Sequence, residues 1–531
     1  MKTKFDWAFP YTSQKMPLLA RNVVTTSQPL AAQAGVRMLL AGGNAVDAAL
    51  ASAITLTVVE PVMNGIGGDL FALVWDKGEL HGIDACGRAP ALWNPEYFAG
   101  RTSMPTLGWD SVTVPGQVAG WAALSERFGQ LPFEKLFEPA IEYAEEGFAI
   151  SPQIARQWAA QVPNLSSQPG FAAAFTRNGE TPKAGSWWKF PGQARTLQEI
   201  ARTKGQSFYT GNLAEHICAF SKQCEAALSA SDLAGIKVEW VKPISADYRG
   251  YTLHEIPPSG QGIAALLGLG ILEQFDLELM GLDSPDAYHV MIEAMKLAFA
   301  DLHTHIGDRE HMKHTVEQLL DKAYARQRAS LIQRNRAIPA TAGTPASGGT
   351  VYLAAADTSG MMVSFIQSNY KGFGSGVVVP ETGISLHNRG MGFVLSEGHV
   401  NRVAPRKKPL HSIIPGFVTQ GGEPVMALGV MGGSMQAQGH VQMLARLACF
   451  GQNPQAMSDA PRFRVEDGPI VHLEAHTPSD VAETLRARGH EVSVHAPDSM
   501  EFGAAQIICC SDSGAYVAAS DSRRDGQAVG F

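Results

Sequence analysis

Cysteine is scarce in this chain: six in 531 residues, only Cys509 and Cys510 adjacent, and no CxxC pair. A disulfide framework and the common zinc spacings are thereby excluded, and the six read as reduced, mostly packing residues. Basic runs are missing as well. Lys plus Arg number 42 against 50 Asp plus Glu, a mildly acidic balance without the footprint of nucleic-acid binding. The longest nearly apolar run, "AALASAITLTVV", is too short to span a bilayer, and the N-terminal "MKTKFDWAFPYTSQKMP" lacks the apolar centre of a signal peptide. GxSxG and HExxH are absent too, which argues against a hydrolase serine elbow and a zinc-protease helix. The expectation is a cytoplasmic protein that handles a small molecule, with no nucleic acid, membrane, metal or organic cofactor.

What is present is a globular composition, 45% hydrophobic and 17% charged, with 54 glycines that let backbones approach closely. The length allows roughly two to four average domains or one large α/β assembly. "SQPLAAQAGVRMLLAGGNAVDAALASAITLTVVEP" predicts two helices, the first capped by Ser27 with Pro29 in its opening turn, the second capped by Asn44. A glycine loop, "NGIGGD", leads into a hairpin. Residues 110–225 look largely helical, and a long helix is expected from Ser284 to about His305, with more helix to about Asn335. After a stretch of small residues at 338–349, the apolar runs "TVYLAAA", "MMVSFIQS", "PVMALGV", "AAQIICC" and "AYVAAS" predict strands covered on both faces, so a sheet lies between other layers.

That stretch, "AIPATAGTPASGG", ends abruptly at Thr350. Amide hydrolysis needs a nucleophile, a base and donors for an oxyanion. A threonine at a new chain terminus supplies the first two, because a free α-amine titrates near roughly 7.7–8.0. Gly349 before it tolerates the strained backbone that lets the hydroxyl attack its own preceding carbonyl. Threonines also commonly start strands after glycine loops, so the local pattern alone does not decide the matter.

The wider pattern does. "SQPLAAQAG", "GGNAVDAALA", "NGIGGD", "VPGQVAGW", "IPPSGQG", "GGTVYLAAAD", "GFGSGVVVPETGISLHN", "KKPLHSIIP", "GVMGGSMQ", "DAPRF" and "SDSRRDGQAVGF" stand in register along most of the chain. Together they resemble the γ-glutamyltranspeptidase family of N-terminal-nucleophile hydrolases. The resemblance implies a four-layer αββα sandwich, made as a precursor that cuts itself between Gly349 and Thr350. The products would be a large chain 1–349 and a small chain 350–531 that stay together as a heterodimer, with a dimer of heterodimers as a further arrangement. It also implies Thr350 as nucleophile and α-amine base, Gly432 and Gly433 as the oxyanion hole, and Ser368 as a second hydroxyl beside the nucleophile. Ser412 matches one of two serines near the substrate carboxylate, and Arg389 ends the "GISLHNR" segment of the binding pocket.

Departures from the family bear on substrate. Gly392 stands where an acidic residue grips the α-amino group of a γ-glutamyl substrate; His411 replaces the first paired serine, and Tyr370 an asparagine. "CGRAP" sets Arg88 two positions beyond the family's carboxylate-binding arginine, on the same face if the segment is a strand. A pocket for a carboxylate without an amine resembles that of a cytoplasmic branch of the family, the oxamate amidohydrolases of urate breakdown, which split oxamate to oxalate and ammonia. The alternatives are a γ-glutamyl hydrolase or transpeptidase, a metal-dependent hydrolase built on His303, His305, His311 and His314, and an uncut, non-catalytic binder of small carboxylates. "GQGIAA" approximates a dinucleotide fingerprint, but two prolines interrupt its turn, so that helix start is expected to pack or to line the pocket.

Overall fold

The computed structural model describes residues 14–339, 349–466 and 468–531. The small-residue segment at 340–348 falls outside them. The apolar runs become strands of two seven-stranded sheets. In one, the order is Gln527–Gly530, Val23–Thr26, Gly349–Ala356, Met362–Tyr370, Asp69–Asp76, Glu79–Ala85, Glu239–Val241. In the other it is Leu18–Ala20, Tyr516–Ser520, Ala505–Cys510, Glu423–Val430, Gly416–Gln420, Tyr251–Glu255, Ile244–Tyr248. Neighbouring strands are antiparallel throughout both sheets.

Alternation along one strand explains why it reads as a continuous apolar run. Tyr352, Ala354 and Ala356 face the second sheet, where they join Phe417, Ala427, Ile508 and Ala518. Val351, Leu353 and Ala355 face the opposite way, into a core shared with the helices Pro29–Leu40 and Ala45–Val59. Helices Gly262–Leu272, Pro285–His305 and Met435–Phe450 cover the outer face of the second sheet. The result is the αββα sandwich. Continuous hydrophobicity here reports two covered faces in antiparallel sheets.

The helix Ala45–Val59 starts as expected, with an Asn44–Asp47 capping box. The preceding one does not. Gln28 caps it, accepting from Leu30 and Ala31 N–H, while Ser27 instead donates to the buried Glu60 carboxylate at the end of the next helix. Between His305 and Asn335 the chain holds a 3₁₀ turn at Arg309–His311 and the short helices Val316–Leu319 and Lys322–Ala329, both helices opened by side-chain caps. Both sheets mix strands from either side of the Gly349–Thr350 bond, so the two segments share their cores.

Candidate active site

Thr350 is the second residue of a central strand, and the register shifts between Gly349 and Val351, where Gly349 pairs with Tyr370. This irregularity turns the Thr350 hydroxyl toward Ser368, with 3.2 Å between the two oxygens. Ser368 Oγ also accepts the Tyr370 N–H at 2.7 Å. From the other sheet, Gln436 in the first turn of Met435–Phe450 reaches across, its Nε2 donating to Thr350 Oγ1 at 3.4 Å. The nucleophile candidate is buried, 2% exposed.

The strand Glu423–Val430 runs into Gly432 and Gly433, at φ 113° and 62°. Both lie in the region that favours glycine, and neither backbone N–H has an acceptor among the described residues. Gln261 locks this turn, donating from Nε2 to the carbonyls of Gly433, at 2.8 Å, and of Ser412. The helix start expected to pack or to line the pocket thus supports the turn that carries the two free donors.

Ser412 continues the chain of contacts. Its Oγ accepts from Arg389 Nη1 at 2.9 Å. The Arg389 guanidinium is fully buried and lies over the Tyr370 ring, 3.9 Å from its centroid. Its Nε and Nη2 have no acceptor among the described residues. Burial lowers the Arg389 pKa, while Tyr370 and Asp69 oppose the shift; burial likewise raises that of Tyr370. Tyr370 holds φ 76°, a strained setting for an aromatic residue. A buried guanidinium with two open donors is suited to a planar anion, which a carboxylate matches.

His411 forms an adjoining wall. Its Nε2 lies 3.1 Å from the Asp69 carboxylate, whose other oxygen accepts N–H groups of Gly87 and Gly116. Burial first, then the Arg389 charge, pushes His411 down to about 3. The ring is therefore neutral, and the network sets its proton on Nε2, facing Asp69. Asp69 pairs with Ser368 across the strands, which ties this wall to the hydroxyl beside Thr350.

A cavity of about 460 Å³ opens beside these groups, lined by Gln261, Tyr370, His411, Ser412 and Ser434 and by Met104, Phe299, Leu302, Phe393 and Leu395. None of its described lining residues is Asp, Glu, Lys or Arg; Arg389 is not in the wall but touches it from beneath, bonded to Ser412 and stacked on Tyr370. Gly392 forms part of the wall, and a Cβ there would stand 2.7 Å from the Leu410 carbonyl oxygen. A larger cavity of about 830 Å³, bounded by Arg177, Trp188 and Phe190, includes none of the residues around Thr350.

Arg88 is not brought to this group. The strand Glu79–Ala85 ends before it, so the shared-face argument from strand spacing fails. Its guanidinium is occupied by Glu239 and Asp308, each at 3.3 Å, and by the Arg406 carbonyl. Arg389 is the arginine that joins Ser412. Nor do His303, His305, His311 and His314 gather as metal ligands among the described residues; only the His305 and His314 rings approach, at 5.0 Å. Gln436, Gln261 and Asp69 were not singled out from sequence, although each lies inside a motif quoted for the resemblance.

The αββα fold, with Thr350, the Gly432–Gly433 turn and Arg389 linked at one site, is that of the amide hydrolases of the N-terminal-nucleophile type. The γ-glutamyltranspeptidase family model matches residues 31–531, and the chain belongs to that family. It is 36% identical to the glutathione hydrolase-like YwrD proenzyme of Bacillus subtilis, over 96% of this chain and 98% of that one. It is 34% identical to the oxamate amidohydrolase proenzyme of Klebsiella pneumoniae, over 94% and 97%. Among solved structures, cephalosporin acylase from Bacillus halodurans superposes with a TM-score of 0.95 at 44% identity, over 100% of this chain and 99% of that one. No helix among the described residues is long and apolar enough to cross a membrane.

Proposed function

We propose that the chain cuts itself between Gly349 and Thr350 and then hydrolyses an amide whose acyl part carries a carboxylate. The observation that carries this reading is the placement of Arg389. Its Nη1 is bonded to Ser412, which Gln261 ties to the Gly432–Gly433 turn, and that turn leads directly to Gln436 against Thr350, while Nε and Nη2 stay open. The carboxylate is received at Ser412 Oγ in the cavity wall, with the buried Arg389 bonded to that serine supplying the opposite charge. Thr350 Oγ attacks the amide carbon, its proton passing to the α-amine of the same residue, and the Gly432 and Gly433 N–H groups hold the oxyanion. The amine then gives the proton to the leaving nitrogen, and water resolves the ester. Ser368 orients the attacking hydroxyl.

Oxamate, hydrolysed to oxalate and ammonia in the cytoplasm, is the smallest substrate of this kind and has a similar relative behind it. A γ-glutamyl group fits less well, because its ammonium meets no carboxylate in the cavity wall. A second reading, a longer carboxyacyl amide, is favoured by the 460 Å³ cavity with its apolar side, far more space than oxamate fills. The cleaved segments would remain a heterodimer.

Intact mass and a substrate panel test the proposal. Active protein should comprise two fragments with Thr350 at the start of the smaller, and Thr350→Ala should stay whole and inactive. Ammonia release from oxamate, set against release from longer carboxyacyl amides and γ-glutamyl anilides, separates the substrate readings. Full activity in an unbroken chain would overturn the first part, and preference for the γ-glutamyl compound the second.

A further inference from the structure

We propose that Gln436 is a third donor to the oxyanion, acting beside Gly432 and Gly433; this rests on Thr350 being the nucleophile. Gln436 is fully buried in the turn that follows the glycine pair, its own N–H bonded to the Gly433 carbonyl at 3.2 Å. Its Oε1 accepts the Ile414 N–H at 2.9 Å, which fixes the side-chain amide and sets the NH₂ group toward Thr350. The bond from Nε2 to Thr350 Oγ1, at 3.4 Å, is long. Nε2 has no other acceptor among the described residues, so its donors are poorly used in the resting enzyme.

Attack changes that. The bond formed joins Thr350 Oγ to the amide carbon, and the C=O π pair moves onto the carbonyl oxygen, which now lies two bonds from Oγ. A donor already against Oγ is then beside the new negative charge. An interaction weak in the ground state and strong at the tetrahedral stage accelerates the reaction, because it distinguishes the two. In self-cleavage Oγ adds to the Gly349 carbonyl in the same way, so the proposal extends this donor to that tetrahedral stage.

The experiment compares wild type with Gln436→Glu, which keeps the acceptor for Ile414 while losing the donor, and with Gln436→Met, which loses both. Each rate is divided by the fraction of chain cleaved, read from intact mass. Boric acid, which forms a tetrahedral adduct on the threonine hydroxyl, is the transition-state probe. The expected result is kcat lower by about 100- to 1,000-fold, the range for loss of one oxyanion donor, with KM within about twofold. Boric acid should weaken by a similar factor and precursor cleavage should slow, each by more than any fall in melting temperature shared by the two variants accounts for. Wild-type kcat in a folded variant would overturn the proposal, as would loss of kcat only in step with loss of melting temperature in both. Thr350→Ala separates the two levels: if it is inactive while Gln436 variants are normal, only the Gln436 assignment fails, whereas an active Thr350→Ala removes the nucleophile reading itself.

Discussion

The guanidinium of Arg389 lies 3.9 Å above the ring of Tyr370, buried, with one nitrogen on Ser412 and two left open. The stack positions a cation whose open donors suit an anion. Arg389→Met should therefore divide function from stability. Loss of a charge-assisted bond worth roughly 1.5–3 kcal/mol lowers kcat/KM for a carboxylate substrate about 10- to 150-fold. Removal of a buried charge with unmet donors should raise the melting temperature. Steady-state kinetics and calorimetry on one preparation check both.

Gly392 argues against restoring γ-glutamyl activity by one substitution. In Gly392→Asp the added Cβ meets the Leu410 carbonyl 2.7 Å away, so the backbone must move before the carboxylate can be of use. The expected outcome is lower stability and no gain on γ-glutamyl anilides. A gain at wild-type melting temperature would show that the wall yields more easily than its contacts suggest.

The pH dependence of rate should follow the Thr350 amine. His411, held down to about 3, stays neutral across the working range. The profile of kcat/KM is expected to rise through about 7.7–8.0, the range of a free α-amine, without a histidine step near 6.5. His411→Asn would shift the magnitude and leave that midpoint in place.

Stability has its own pH dependence, with opposite signs at the two ends. His387, His411 and His490 are each pushed to about 3 in the folded chain, first by burial. Unfolded histidines take up protons near 6.5, so the stability these groups contribute is present above that value and is lost as pH falls toward 3. Glu60 does the reverse. Burial raises it to about 7, so its contribution is present at low pH and is lost as pH rises from about 4.5 through 7. Glu60→Gln should raise the melting temperature at pH 9 and change it little at pH 5, while acid unfolding remains.

The strands were legible because their chemistry is local: "TVYLAAA" and "MMVSFIQS" have no polar face to offer water, and both faces prove to be covered. That Thr350, Ser368, Ser412 and the glycine pair lie together in space is legible through motif register, which preserves their order and spacing. Strand spacing does not place Arg88, because the strand ends at Ala85, three residues before it. Whether an arginine is free or already paired depends on Glu239 and Asp308, far away in sequence. Gln436 and Gln261 carried no signal of their own, since a glutamine after a glycine turn is as often a solvated helix start. Ser27 was misread because its partner, Glu60, arrives only when two helices pack.

The strand that begins at Gly349 lies between Val23–Thr26 and Met362–Tyr370, one from each side of the proposed cut, and the same interleaving recurs in the other sheet. Severing the chain there deletes a covalent joint from a weave in which each piece borrows its edges from the other. The halves are thus bound to a shared fate: neither can be lent to a different partner, and neither can be recovered, without first dissolving the whole cloth.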